Sequence, residues 1–340
     1  MPRERPVEPV PRSAAGESEP FSWKNPALSP GVEMPRERLQ VRRETAVEPV
    51  VYTVVPRQLQ VNLHCSRLLR IFAAAKGSYM IKALFFDIDG TLVSFRTHSV
   101  PDSTVKALAE AKNKGIKIFI STGRPRPLIN NLEPIEDLID GYITVNGAIC
   151  TVGSETVSRS PIDPEDVKVI LNAADRMDVP ALIVGEDRAI VHNHKPIVDR
   201  IFGGMLAITG IDRNTATEQM LTEPIYQMTP FFDTAQEAEV ARLLRHSEST
   251  RWCEYFSDII SSEADKGRGL EIIAGYEGLR LDECMAFGDG GNDIAILRKA
   301  GTGVAMGNAG VTVKAAADYV TDTIDSDGVA NALRYFKVTA

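Results

Sequence analysis

The stretch ALFFDIDGTLV, Ala83 to Val93, constrains the fold more than any other: a run of apolar side chains ends in two aspartates one residue apart. Residues 81–88 read as a parallel strand buried on both faces, because such strands carry apolar runs rather than alternation. Asp-Gly also suits a tight hairpin turn. Here, however, it is followed by a loop, Val93 to Val100, and then by helical spacing, so a hairpin does not fit. Open α/β sheets bind ligands in the crevice beyond the carboxyl ends of their strands. Asp87 and Asp89 would sit at that rim, where two like charges need a positive partner.

The alternation continues. Residues 101–114 have helical spacing, with Val105, Leu108 and Ala111 on one side and Gly115 as a C-cap. Ile116 to Ile120 is a second buried strand, and Asp140 to Cys150 a strand and turn. Between about 151 and 254 the texture changes. Strands are expected at Ala181–Val184, Ala189–His192, Pro224–Phe232 and Trp252–Ser257, with helices at Pro164–Met177 and Ala235–Arg245. The βαβ pattern then resumes with Cys284–Phe287, a helix from Ile294 to Ala300, and Gly303–Met306. The expected class is α/β: a parallel-sheet, Rossmann-like core with helices on both faces, residues 80–152 and 255–340, interrupted by an α+β cap, residues 153–254.

Residues 1–79 are unlike the rest. They hold ten of the 20 prolines and no aspartate, and their 12 basic and 8 acidic residues give +4; the remainder, with 26 and 38, carries −12. MPRER and VEPV each occur twice, and no helical or strand period persists. This composition is expected of a disordered arm. It also suits an upstream extension with translation starting at Met80, an expectation that the intact mass of the protein from its native source would check. The chain's net charge of −8 argues against broad nucleic-acid or anionic-membrane binding. No apolar run reaches the ~20 residues of a bilayer span, and MPRERPVEPVP is not a signal peptide. Cys65, Cys150, Cys253 and Cys284 form no C-x-x-C pair and read as reduced thiols of a cytoplasmic protein. His192 and His194 form an H-x-H pair without a third ligand nearby, so a plain strand is preferred over a metal site.

Three further signals follow strand ends. Ser121-Thr122-Gly123 offers a hydroxyl and backbone N–H groups that suit a phosphate oxygen. Lys266, in EADKGRGLEII, starts a helix, where its charge opposes the macrodipole, so an anionic partner is expected. FGDGGNDIAIL places Asp289 and Asp293 after another apolar strand. Asp87, Asp89 and Asp289 would then share one crevice, at a cost of about 4 kcal/mol per like pair at ~4 Å and an effective dielectric near 20. A hard divalent cation, Mg²⁺, removes that conflict.

FFDIDGT, STGR, the Lys266 segment and GDGGND, in that order, resemble the haloacid dehalogenase superfamily of phosphatases, in particular the Cof-type sugar-phosphatase branch with a large inserted cap. VNGA at 145–148 and GVAMGNA at 303–309 resemble it too, and the likeness spans residues 80–340. The resemblance implies Asp87 as nucleophile and Asp89 as general acid/base. It implies Mg²⁺ held by the Asp87 carboxylate, the Asp89 main-chain carbonyl and the Asp289 carboxylate. Thr122, Gly123, Lys266 and Asn292 would bind the phosphoryl group, with Asp293 orienting metal-bound water or Lys266. Arg124, Asn146, His192 and Gln227 are candidate contacts for the organic part of a small sugar phosphate. The implied enzyme is a cytoplasmic phosphatase, a monomer or small homo-oligomer. A phosphomutase of the same superfamily remains an alternative. A phosphorelay receiver is disfavoured by the large insertion, and a catalytically silent sugar-phosphate sensor by the complete set of chemical groups.

Overall fold

In the computed structural model, which describes residues 80–206, 208–251 and 254–340, strand β1, Ala83–Phe86, is fully buried. Its side chains alternate between faces. Leu84 and Phe86 join a cluster with Leu108 and Ala111 of the helix Asp102–Asn113 and with Val329 and Leu333 of the helix Gly328–Tyr335. Ala83 and Phe85 join another, with Leu270 and Ile273 of the helix Lys266–Tyr276 and Leu297 of the helix Ile294–Lys299. Helices therefore cover both faces, which explains why this strand carries no alternation.

Seven further strands complete the first sheet: β2 Lys117–Ser121, β3 Gly141–Thr144, β4 Ile149–Val152, β5 Glu155–Arg159, β11 Cys284–Gly288, β12 Thr302–Ala305 and β13 Tyr319–Val320. Their order is β13-β12-β11-β1-β2-β3-β4-β5. From β13 to β3 every pairing is parallel, and β4 and β5 continue antiparallel. Ring stacking fixes the centre, with Phe85 on Phe119 at 4.9 Å and Phe86 on Phe287 at 4.7 Å. The α/β class expected from the sequence is thus observed.

A second sheet is wholly antiparallel, in the order β7-β6-β8-β10-β9. It comprises β6 Ala181–Val184, β7 Ala189–His192, β8 Gln227–Pro230, β9 Ser247–Thr250 and β10 Asp258–Ser261. One of its faces packs on the helix Pro164–Arg176 through Ile170, Ile183, Met228 and Ile259. The other contributes Leu182, Val184 and Ile260 to a cluster shared with Phe231, just after β8, and with Leu128, Val145 and Ile149, so apolar burial joins the two sheets.

One expected strand is corrected. The sequence predicts a strand at Trp252–Ser257, but β9 and β10 pair with each other, Thr250 opposite Asp258, and residues 254–257 are not in a strand. Residues 252 and 253 lie outside the described residues. Phe256 packs in a cluster with Phe202 and Phe231, at 5.4 and 5.7 Å between ring centroids, so its aromatic character serves packing rather than a ladder. The expectations for residues 1–79, Cys65 and Cys253 also lie outside the described residues. Cys150 and Cys284 are buried thiols, each pushed up to about 12, by burial and, for Cys284, by nearby acidic groups as well. Among the described residues, no helix is long and apolar enough to cross a membrane.

A buried carboxylate ties the second sheet's helix to its edge. Asp166 accepts the backbone N–H groups of Arg245 at 3.0 Å and His246 at 2.9 Å, just before β9. Burial opposes its charge, but these N–H groups more than offset that and hold its carboxyl below the usual value. Asp166→Ala, which leaves both donors without this partner, should cost about 1–3 kcal/mol in urea unfolding at pH 7. Because the folded-state pKa is lowered, this contribution is present above the unfolded value of 3.8 and is lost as pH falls through the folded one. The gap between wild type and variant should therefore narrow on acidification.

Candidate active site

Three parallel strands end together at one rim. β1 leads into Asp87, β2 into Thr122 and β11 into Asp289, and β1 is the central neighbour of the other two. The helix starting at Lys266 brings a cation to the same place. Lys266 is 1% exposed, and its Nζ donates to Asp87 Oδ1 and Asp293 Oδ1, both at 2.6 Å. The partner expected from the helix-dipole conflict is therefore a pair of carboxylates. Asp265 caps the same helix by accepting the N–H groups of Gly267 at 2.7 Å and Arg268 at 2.9 Å.

Carboxylate oxygens of Asp87, Asp289 and Asp293 lie within 4.8 Å of one another. Burial, then Asp293, raises the Asp87 carboxyl well above its usual value, partly opposed by Lys266. Burial and Asp293 also lift Asp289, to about 7. Burial alone would lower the Lys266 pKa, but Asp293 and Asp87 more than compensate, and it is raised. Three carboxylates thus face one ammonium. The surplus negative charge and all-oxygen donors fit a hard divalent cation, which Asp87 and Asp289 could hold. Asp293 is spent differently: its Oδ2 accepts the N–H groups of Asp289 at 3.0 Å and Gly290 at 2.9 Å, while Oδ1 holds Lys266.

Around this cluster the other sequence candidates divide. Asp89 is gripped by Arg124, whose Nε donates to Oδ2 at 2.8 Å and Nη2 to Oδ1 at 2.5 Å. Arg124 is in turn held by Asn130 Oδ1 at 2.5 Å. Thr122 Oγ1 accepts the Arg124 N–H at 3.0 Å, which leaves its hydroxyl hydrogen for another acceptor. Asn146 Oδ1 accepts from Asn292 Nδ2 at 2.9 Å, and a Cβ on Gly123 would meet the Asn146 amide at 3.1 Å. Asp87, Asp89, Thr122, Gly123, Arg124, Asn146, Lys266, Asp289, Asn292 and Asp293 are thus linked by contacts or shared strand ends. His192 and Gln227 instead make their hydrogen bonds within the second-sheet segment. His192 contacts Asp175 Oδ1 at 2.7 Å and Thr217 at 3.0 Å, and Gln227 Nε2 donates to Thr229 and Asp258, both at 2.9 Å. His194 contacts Asp199 rather than sharing a partner with His192.

Two features fall in the segments VNGA and GVAMGNA, which the sequence marks as family-like without giving Val145, Gly147 or Asn308 a role. Val145, Asn146 and Gly147 all have positive φ, of 52°, 52° and 102°. For a β-branched valine this is an outlier costing about 1–3 kcal/mol. The turn fits against Asp265, whose carbonyl oxygen a Cβ on Gly147 would meet at 2.2 Å, so it couples the Asn146 position to the start of the Lys266 helix. The second feature is Asn308, whose Nδ2 donates to Gly90 O at 2.9 Å and Asp289 Oδ2 at 3.1 Å.

A buried lysine bridging two aspartates beside a third, at the carboxyl rim of a parallel sheet, gathers strong charges of both signs where such sheets bind ligands. The family described as haloacid dehalogenase-like hydrolase matches residues 84–333, and the chain belongs to that family. The protein is similar to the HAD subclass IIB sugar phosphatase BT4131, with 46% identity and a TM-score of 0.72 over 76% of this chain and all of that one. BT1666 from Bacteroides thetaiotaomicron, described among phosphatases of the superfamily, shares 36% identity and a TM-score of 0.70 over 77% of this chain and 97% of its own. YkrA of Bacillus subtilis (strain 168), whose name proposes a phosphatase, is 30% identical over 258 residues, 74% of this chain and 96% of its own. The protein is a phosphatase of this superfamily.

The buried triad generates a stability prediction. Lys266→Met removes the one ammonium facing the Asp87 and Asp293 carboxylates and should cost about 3–5 kcal/mol in metal-free protein at pH 8. Asp87 is already raised, and without Lys266 it rises further. A raised carboxyl contributes stability below its unfolded pKa and loses it as pH climbs through the folded value. The deficit measured by urea unfolding in EDTA should therefore be smaller at pH 5 than at pH 8.

Proposed function

We propose that the protein is a Mg²⁺-dependent phosphatase that hydrolyses small phosphate monoesters, sugar phosphates in particular, through an aspartyl phosphate on Asp87. The observation that carries this reading is the buried Lys266 ammonium bridging Asp87 and Asp293 beside Asp289. The likeness to a sugar phosphatase supports the substrate class.

Mg²⁺ would be held by the carboxylates of Asp87 and Asp289 and the main-chain carbonyl of Asp89, and when bound it offsets the anionic charge of the ester. Lys266 stabilises charge on the phosphoryl oxygens, together with the Thr122 hydroxyl, the Gly123 N–H and the Asn292 amide. A free Asp87 oxygen attacks phosphorus, a P–O bond to Asp87 forms, and the ester P–O bond breaks. Asp89 gives its proton to the departing alkoxide oxygen. It then takes a proton from water, whose oxygen displaces Asp87 and releases inorganic phosphate. The Arg124 fork occupies both Asp89 oxygens, so proton donation requires that contact to loosen as the ester enters. Asp293 acts through Lys266 and through the N–H groups of Asp289 and Gly290 that it accepts.

In this reading residues 153–254, the expected cap, carry most of the second sheet, although β5 within them belongs to the first sheet and β10, Asp258–Ser261, completes the second from beyond them; that second sheet closes over the crevice to exclude water from the intermediate. Arg124, Asn146, His192 and Gln227 stay candidates for the organic part, the first two being adjacent to the carboxylates.

A panel of hexose and pentose phosphates assayed for phosphate release with Mg²⁺ tests the proposal. Activity should vanish in EDTA and with Asp87→Asn, and Asp89→Asn should lower kcat by about 10²–10⁴-fold through loss of acid–base catalysis. Undiminished turnover by Asp87→Asn would remove the nucleophile assignment. Isomerised sugar phosphate in place of inorganic phosphate would turn the reading to a mutase.

A further inference from the structure

The Asp289 carboxylate is held on both oxygens by neutral donors. Thr91 Oγ1 donates to Oδ1 at 3.2 Å, and Asn308 Nδ2 donates to Oδ2 at 3.1 Å. The second hydrogen of the same Asn308 amide goes to the Gly90 carbonyl at 2.9 Å, and Asn308 Oδ1 accepts the Ile324 N–H at 3.0 Å. One side chain therefore ties the turn after β1, the carboxylate after β11 and the chain following β13. The fit is close: Gly90 has a φ of +83°, and a Cβ there would lie 2.3 Å from Asp289 Oδ2. Asn308 comes from the loop after β12, a strand that reaches the rim beside β11.

We propose that Asn308, seconded by Thr91, is a positioning residue that holds the Asp289 carboxylate in the orientation required to bind the divalent cation. The inference rests on the metal reading above, and it concerns a residue that touches neither substrate nor cation. Two physical points support it. A carboxylate offered to a metal must be restrained against rotation, and hydrogen bonds to its oxygens do this while leaving lone pairs for the cation. The restraint must also be uncharged. A lysine or arginine at either place would neutralise Asp289 and compete with the metal, whereas an amide and a hydroxyl orient it and leave its charge intact. The contrast with Asp87 and Asp293 is direct, since both spend an oxygen on Lys266. Asn308 is also exposed, so truncating it removes little packing.

The experiment is Mg²⁺ titration of metal-free full-length protein by calorimetry, with unfolding temperatures in EDTA recorded alongside. Asn308→Ala should weaken the Mg²⁺ Kd by about 10- to 100-fold, the usual effect of losing an outer-shell partner. Thr91→Val, nearly isosteric, should weaken it less, in keeping with its longer hydrogen bond. A wild-type Kd in both variants, with a lower unfolding temperature in EDTA, would make Asn308 only a cap for Ile324 and overturn the proposal. Should Asn308→Ala fail to fold, an unchanged Kd in Thr91→Val overturns it by itself. Wild-type protein that takes up no Mg²⁺ would overturn the metal reading first, a result visible before any variant is made.

Discussion

The bridge from the Lys266 ammonium to Asp87 and Asp293 is the interaction on which the rim depends. It draws a residue of the helix Lys266–Tyr276 onto the ends of β1 and β11, and it does so almost without water. Removing two carboxylates and an ammonium from solvent is costly, and such a triad persists only when each charge has its partner in place. It also leaves the account open on the negative side. Among the described residues no lysine or arginine forms an ion pair with Asp289, and its carboxyl is raised to about 7, first by burial and then by Asp293. Three carboxylates gathered in this way could hold a metal ion, whose charge would offset theirs.

Groups of lower charge hold that arrangement still. The strained turn at Val145–Gly147 presses on the start of the Lys266 helix and presents Asn146 to Asn292. Asn308 and Thr91 do for Asp289 what Arg124 does for Asp89, but with neutral donors where Arg124 brings a charge. Close approach of backbone at Gly90 lets these loops meet.

Much of this was legible in the sequence because the signals are local. An apolar run ending in Asp87 means a doubly buried strand, and a lysine at a helix start means a nearby anion; both inferences need only a few neighbouring residues. The strands Ala181–Val184 and Ala189–His192 were legible for the same reason, through their apolar runs and the Gly185-Glu186-Asp187 turn. The strand expected at Trp252–Ser257 is absent at residues 254–257, where Phe256 joins an aromatic cluster that only its tertiary neighbours specify. His192 and His194 looked like a pair, yet their carboxylate partners, Asp175 and Asp199, arrive from different parts of the chain.

By itself, then, the sequence determined the alternation of strand and helix, and the chemical types that cap the strand ends, since backbone period and side-chain charge are properties of short segments. The tertiary structure decided who faces whom. It assigned Lys266 to Asp87 and Asp293, Arg124 to Asp89, and Asn308 to Asp289, pairs separated by 179, 27, 35 and 19 residues. The physical reason is that a hydrogen bond is fixed within a few tenths of an ångström, and no local pattern specifies distance across a sheet. Only the parallel pairing of β1 with β2 and β11 brings those groups to one rim.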